Sequence, residues 1–194
     1  MNKWILTIVI FLLIAVGYWG FYVKKDFQSD GLKETYSDSS GAFSLRYPSG
    51  FVVDDKYKYE GLGPDKNILG VRFAVDPVLA RGTNLSSDSF ISIERMPVAT
   101  ECSASLFLYE KPKENKITDE GVDYSVATSS GAGAGNFYEE TIYALPQGNT
   151  CMGIRYFIHS TNIGNYPVGA VKEFNRTALM LQFDAIRHSL IFNP

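Results

Sequence analysis

The chain has 194 residues, 45% of them hydrophobic, with 18 Lys and Arg against 21 Asp and Glu, two Trp and two Cys. That length supports one hydrophobic core and hardly two, and the composition excludes collagen-like, coiled-coil and wholly disordered chains. The averages conceal a division: residues 1–25 hold 18 of the 88 hydrophobic residues, both Trp and no acid, and residues 26–194 carry a net charge of −6. An acidic domain without a basic stripe offers nucleic acid no electrostatic footprint, so no nucleic-acid partner is expected.

Trp4 to Val23 is a run of 20 residues without a charge. A helix of that length rises about 1.5 Å per residue and spans roughly 30 Å, the hydrocarbon thickness of a bilayer. Trp4 at one end, and Tyr18, Trp19, Phe21 and Tyr22 at the other, fall at the two interfacial levels, where an amphipathic ring keeps its body in lipid and its polar edge in water. The expected partner of residues 4–23 is therefore the lipid bilayer. The alternative is a cleaved signal peptide, with Trp4–Ile14 as its apolar region and Ala15-Val16-Gly17 as its cleavage site. The apolar run past Gly17, with Lys24 and Lys25 only after Val23, favours an uncleaved signal-anchor over residues 1–23. No Cys succeeds the run, which excludes a bacterial lipoprotein. Charge does not decide the orientation, because the amino terminus and Lys3 nearly balance Lys24 and Lys25. A short-tailed amino-terminal anchor usually delivers the downstream chain across the membrane, so the expectation is a single-pass cell-membrane protein with an extracytoplasmic C-terminal domain.

Residues 24–41 are polar, contain Gly31 and Gly41 and have no apolar period, which reads as a linker. The domain then covers 42–194. Phe43, Leu45 and Tyr47 alternate with Ser44 and Arg46 as a half-buried strand requires, and Pro48-Ser49-Gly50 turns the chain before Phe51-Val52-Val53. Further strands are predicted at Ile68–Val75, Ser89–Met96, Val122–Thr128, Phe137–Leu145 and Met152–Ser160. A short helix is predicted around Ala104–Leu108, and a longer one from an Asn175 cap to about Ser189, in which Leu179, Phe183, Ile186 and Leu190 make one apolar stripe. A last strand, Leu190–Phe192, ends the chain. Strand runs and then a terminal helix, without βαβ alternation, give an α+β fold. Its mainly antiparallel sheet is packed with helices and preceded by one N-terminal transmembrane helix.

Phe43-Ser44-Leu45-Arg46-Tyr47-Pro48-Ser49-Gly50-Phe51 resembles the first strand and turn of PsbP-like domains, where a strand ends in Tyr-Pro-x-Gly before an aromatic residue; Phe51 stands here for the usual Trp. The ending Phe183-Asp184-Ala185-Ile186-Arg187-His188-Ser189-Leu190-Ile191-Phe192 is similar to their terminal helix and short strand. Membrane-anchored bacterial envelope proteins share this layout. The resemblance implies an antiparallel sheet packed between helices and no enzymatic activity. Plant members assist photosystem II and some bind metal ions; no corresponding ligand set stands in this sequence, so no cofactor is expected.

Cys102 and Cys151, an even number in an extracytoplasmic domain, read as one disulfide; the alternative is two buried thiols. Closing a loop of that size stabilises by about 4 kcal/mol. On the strand beginning at Cys151, Met152, Ile154, Tyr156 and Ile158 form one face, with Cys151, Arg155, Phe157 and His159 on the other. Cys151 and His159 are then roughly 26 Å apart at about 3.3 Å per residue, too far to share a proton. His188, four residues after Asp184, reads as a surface pair at a helix end. Gly131–Asn136 lacks the Lys-Ser/Thr of a phosphate loop and reads as a hairpin tip. Asp119–Asp123 lacks the ligand order of a calcium loop and reads as a solvated turn. Asn84 and Asn175 begin glycosylation sequons. The polar loop Ser160–Gly169, with Asn162, Asn165 and Tyr166, is longer than a hairpin needs and is the candidate binding loop. The function expected is a non-catalytic binding or accessory module of the cell envelope, with an envelope protein as its partner. The alternatives are an envelope hydrolase whose residues converge only in the fold, and a structural subunit assembling through its N-terminal helix.

Overall fold

The computed structural model describes residues 31–97 and 101–193. The expected anchor of residues 1–23, with Trp4, Tyr18, Trp19 and Tyr22, lies outside the described residues, as does the first part of the expected linker. Among the described residues no helix is long and apolar enough to cross a membrane.

The strands are β1 (Glu34–Ser37), β2 (Phe43–Tyr47), β3 (Val52–Asp54), β4 (Lys58–Tyr59), β5 (Ile68–Ala74), β6 (Phe90–Pro97), β7 (Asn115–Asp119), β8 (Val122–Gly133), β9 (Asn136–Gln147), β10 (Thr150–Thr161) and β11 (Ile191–Phe192). Helices α1 (Pro77–Ala80) and α2 (Arg176–His188) and two 3-10 turns, Ala104–Phe107 and Ile163–Asn165, complete the fold. The large sheet has eight strands in the order β3-β5-β6-β10-β9-β8-β7, with β4 sharing the outer side of β5. A three-stranded sheet runs β1-β2-β11. All pairs among these strands are antiparallel, in line with the mainly antiparallel sheet that the sequence predicts.

Strict alternation places a separate core on each face of the large sheet. On the inner face Val71, Phe73, Ile91, Ile93, Met152, Ile154, Tyr156 and Ile158 pack with Phe43 and Leu45 of β2 and with Leu179, Phe183 and Ile186 of α2. Each fully buried side chain of this size contributes about 1.5–3 kcal/mol. On the outer face a smaller core gathers Ile68, Ala127, Ile142, Ala144 and Cys151 under Ala104, Phe107 and Leu108. The helix predicted at Ala104–Leu108 is thus a 3-10 turn. It fits because Gly153 of β10 has no side chain: a Cβ there would stand 2.5 Å from the Phe107 ring. Helix α2 starts where its cap predicts, with the Asn175 side chain accepting from the Ala178 N–H at 3.0 Å.

The linker boundary at residue 41 is corrected. Residues 34–37 pair with β2 from Glu34↔Tyr47 to Ser37↔Ser44, and Leu32 is only 5% exposed. Tyr36 lies against Phe73, with ring centroids 5.4 Å apart. One inward aromatic in an otherwise polar edge strand is too little for a visible period, and Leu32 and residues 34–37 belong to the folded unit.

Candidate functional site

Residues with catalytic or binding chemistry fall into two buried clusters and one open edge. The first cluster lies beneath the Ala104–Phe107 turn. Arg155, 0% exposed, donates from Nε and Nη2 to the two carboxylate oxygens of Glu94 at 2.7 and 2.8 Å, from Nη2 to the Phe107 carbonyl at 2.8 Å, and from Nη1 to Glu140. Its guanidinium lies 3.4 Å from the centroid of the Tyr59 ring. Burial works against its charge, but Glu94 and Glu140 outweigh that and its pKa is raised. Burial pushes the Tyr59 phenol up to about 12, against the pull of Arg155. Ser92 donates to Glu94 at 2.7 Å. These charges are spent on one another.

The second cluster closes the C-terminal end of α2. Arg187 Nε donates to the Tyr156 hydroxyl at 2.8 Å, while its Nη2 reaches Asp119 at 2.5 Å and Asp184 at 3.2 Å. His188 Nε2 is 3.0 Å from Asp119. The expected His188–Asp184 surface pair is therefore replaced: Arg187 takes Asp184, and Asp119, expected in a solvated turn, becomes the hub. Hydrogen bonds from Arg187 and His188 hold the Asp119 carboxyl below the ordinary carboxylate range.

Cys102 and Cys151 form the predicted disulfide, with Cα atoms 5.1 Å apart, and it fastens the turn over the outer face as the alternation of β10 requires. His159 pairs with Asp88 at 2.8 Å and stacks on Tyr138, its ring centroid 4.6 Å away. The candidate binding loop is largely a buttress. Asn162 caps its own turn by accepting from the Gly164 N–H at 2.9 Å, and its backbone N–H donates to the Gly135 carbonyl at 2.8 Å. Asn165 donates to the same carbonyl at 3.0 Å, and a Cβ on Gly135, whose φ is +80°, would collide with its Nδ2. The Tyr166 ring is half-buried.

That loop holds the turn between β8 and β9 in place, and beside the turn is the open edge. The predicted hairpin tip at Gly131–Asn136 shrinks to Ala134-Gly135, both at positive φ, because Gly131, Ala132 and Gly133 continue β8. The two-residue turns Glu120-Gly121 and Ala134-Gly135 set the hydrogen-bond parity of the strand through the flanking pairs Asp119↔Val122 and Gly133↔Asn136. Val122, Tyr124 and Val126 bond to β7, and Ser125, Ala127, Ser129, Gly131 and Gly133 to β9. Strand β7 covers β8 only as far as Val126. The N–H and C=O groups of Thr128, Ser130 and Ala132 thus point away from the sheet, and no strand of the described residues pairs with them. All three residues are exposed. Two hollows adjoin this edge and share Ser130, Gly131 and Tyr138. One, of about 300 Å³, reaches Tyr109, Glu110 and Glu140; the other, of about 560 Å³, reaches Ala132, Phe137 and Glu139. Sequence reasoning missed this edge. Its available signal was the mismatch between a short polar segment at 115–119 and the long strand run beginning at Val122.

No family model matches the chain, and no curated protein does. Solved structures do match it. A crystal structure from Bacteroides thetaiotaomicron VPI-5482 superposes with a TM-score of 0.52 at 12% identity over 84% of this chain, which spans 49% of that one. This likeness is one of fold. The solution structure of cyanobacterial PsbP (CyanoP) from Synechocystis sp. PCC 6803 gives 0.45 at 13% identity, over 84% of this chain and 94% of that one. The Saccharomyces cerevisiae Ran-binding protein Mog1p gives 0.47 at 12% identity, over 83% and 96%.

Proposed function

We propose that this chain is a non-catalytic binding or accessory module of the cell envelope. It has a PsbP-like layout, is tethered to the membrane by residues 4–23, keeps its folded domain outside the cytoplasm, and holds a protein partner at the open edge of β8. The observation that carries this reading is the unpaired outer side of Thr128, Ser130 and Ala132. Backbone groups on a sheet edge are a ready template for another strand. The buried arginines support the same reading, because their carboxylate partners are committed to holding the fold together. The disulfide fits an oxidising compartment.

The test is a photo-crosslinking side chain at Ser130 of the full-length protein in its native membranes. A control carries the same group at Val52, an exposed residue on β3 at the far side of the sheet. A discrete protein adduct from position 130 and none from position 52 is the expected result. Adducts from neither position, or the same adducts from both, would overturn it.

A further inference from the structure

We infer that the partner segment seated on β8 is an extended basic peptide, with Lys or Arg at alternate positions. The inference rests on the reading of this edge as a binding site and adds the chemistry of what binds. Ala127–Gly133 offers an edge of roughly 23 Å at about 3.3 Å per residue, occupying the lane that β7 leaves empty. Thr128 has the largest side chain on it, and the edge carries no Pro and no charge. These are the devices with which sheets usually blunt an edge; β7, by contrast, is five residues long and carries Lys116 and Asp119.

A strand laid in that lane points successive side chains to opposite faces. On the outer face they enter the hollow walled by Tyr109, which is 72% exposed, and by Tyr138, Glu110 and Glu140. On the other side they pass Glu139 and Phe137, which is 44% exposed. None of the residues lining either hollow is basic; Glu140 is bound from within by Arg155 and Glu139 by Arg176 at 2.7 Å, so the carboxylate left without an ion pair among the described residues is the exposed Glu110 on the outer face. The Tyr109 and Tyr138 faces beside the Glu110 carboxylate favour an ammonium or guanidinium group on the outer side of the added strand, through cation–π attraction and charge-assisted hydrogen bonds. The net charge of −6 on residues 26–194 draws cations toward the domain. A second copy is the competing occupant, since β8 could pair with its own mate across a two-fold axis. That arrangement would bring the unpaired Glu110 of both copies to one interface, where like charges oppose it.

The experiment uses the full chain in neutral detergent micelles and two fluorescent eight-residue peptides, one alternating Lys and Val and one alternating Glu and Val, read by anisotropy. The basic peptide is expected to saturate with an affinity at least tenfold above the acidic one, and to weaken as salt is added. Ser130→Pro, which removes an outward N–H, should lower its affinity tenfold or more. Glu110→Gln changes only an exposed side chain, so it folds even where the proline variant does not; it should lower the affinity severalfold. Equal binding of the two peptides, or unchanged binding by the glutamine variant, overturns the inference. So does a concentration-dependent dimer, formed without peptide, that Ser130→Pro dissolves; it would assign the edge to a second copy. Position-130 crosslinks in membranes without binding of the basic peptide would leave the binding-module reading standing and remove only its basic partner.

Discussion

Arg155 and Glu94 show what a buried charge does in this fold. Both side chains are fully buried, and each satisfies the other through a two-pronged contact. Such a pair contributes little compared with well-packed apolar residues, but removing one partner strands the other charge in a low-dielectric interior. Arg155→Met should therefore destabilise the domain by about 3–5 kcal/mol in urea titration. The double variant Arg155→Met/Glu94→Leu should recover much of that loss, and failure to recover would show that Arg155 acts mainly through Glu140 and the Phe107 carbonyl. Asp119 acts through pH. Its folded-state carboxyl lies below its ordinary value of 3.8, so the unfolded chain takes up a proton more readily than the folded one. The resulting stability is fully present above the unfolded value and is lost as pH falls through the folded one. Asp119→Asn should thus lower the Tm at neutral pH and flatten its decline as pH falls through and below the ordinary carboxylate range. An unchanged acid limb would remove Asp119 from the account.

At the scale of elements, the outer face is closed by a short flap whose hold is covalent at one end and steric in the middle. The disulfide anchors it at Cys151, and the Phe107 ring rests on Gly153 two residues further along β10. Cys102→Ser/Cys151→Ser should cost about 4 kcal/mol by the loop-closure argument. It should also expose the segment after residue 101 to proteolysis before the strands open; protection equal to that of the wild type would mean that packing alone holds the flap. Much of this arrangement was legible in the sequence. Strands β5, β6, β9 and β10 carry uninterrupted alternation because each separates two cores, and α2 declares itself by Asn175 and by the spacing of Leu179, Phe183 and Ile186. What stayed hidden depended on register. Arg155 was visible as an outer-face residue, yet Glu94 lies 61 positions away and meets it only once β6 and β10 are aligned. Strands β1 and β7 are short and largely polar at sheet edges, where one face or both meet water and no period survives. Gly131–Gly133 resembled a loop because glycine and alanine have low strand propensity; pairing with β9 overrides that preference and leaves their outer side bare.

At the scale of the molecule, charge and aromatic content separate the two ends of the chain. Residues 1–25 hold both Trp and three basic residues with no acid, whereas residues 26–194 hold a net charge of −6 and no Trp. A surface of that sign on a tethered domain would be held off an anionic lipid surface by repulsion within about 10 Å at ordinary salt. The open edge of β8 would then stay available to a partner instead of being occupied by headgroups. The same division makes tryptophan a private probe of the proposed anchor. In vesicles, emission from Trp4 and Trp19 should be blue-shifted and quenched by brominated lipids, more strongly with bromine near the headgroup than at mid-chain, because both residues sit at interfacial levels of the proposed span. Urea sufficient to unfold the domain should leave that emission unchanged, while the near-ultraviolet signal of its tyrosines collapses. If lipid bromine does not quench, or if the emission shifts together with the tyrosine transition, then residues 4–23 pack on the domain instead of in the bilayer, and the tether is lost from the proposed function.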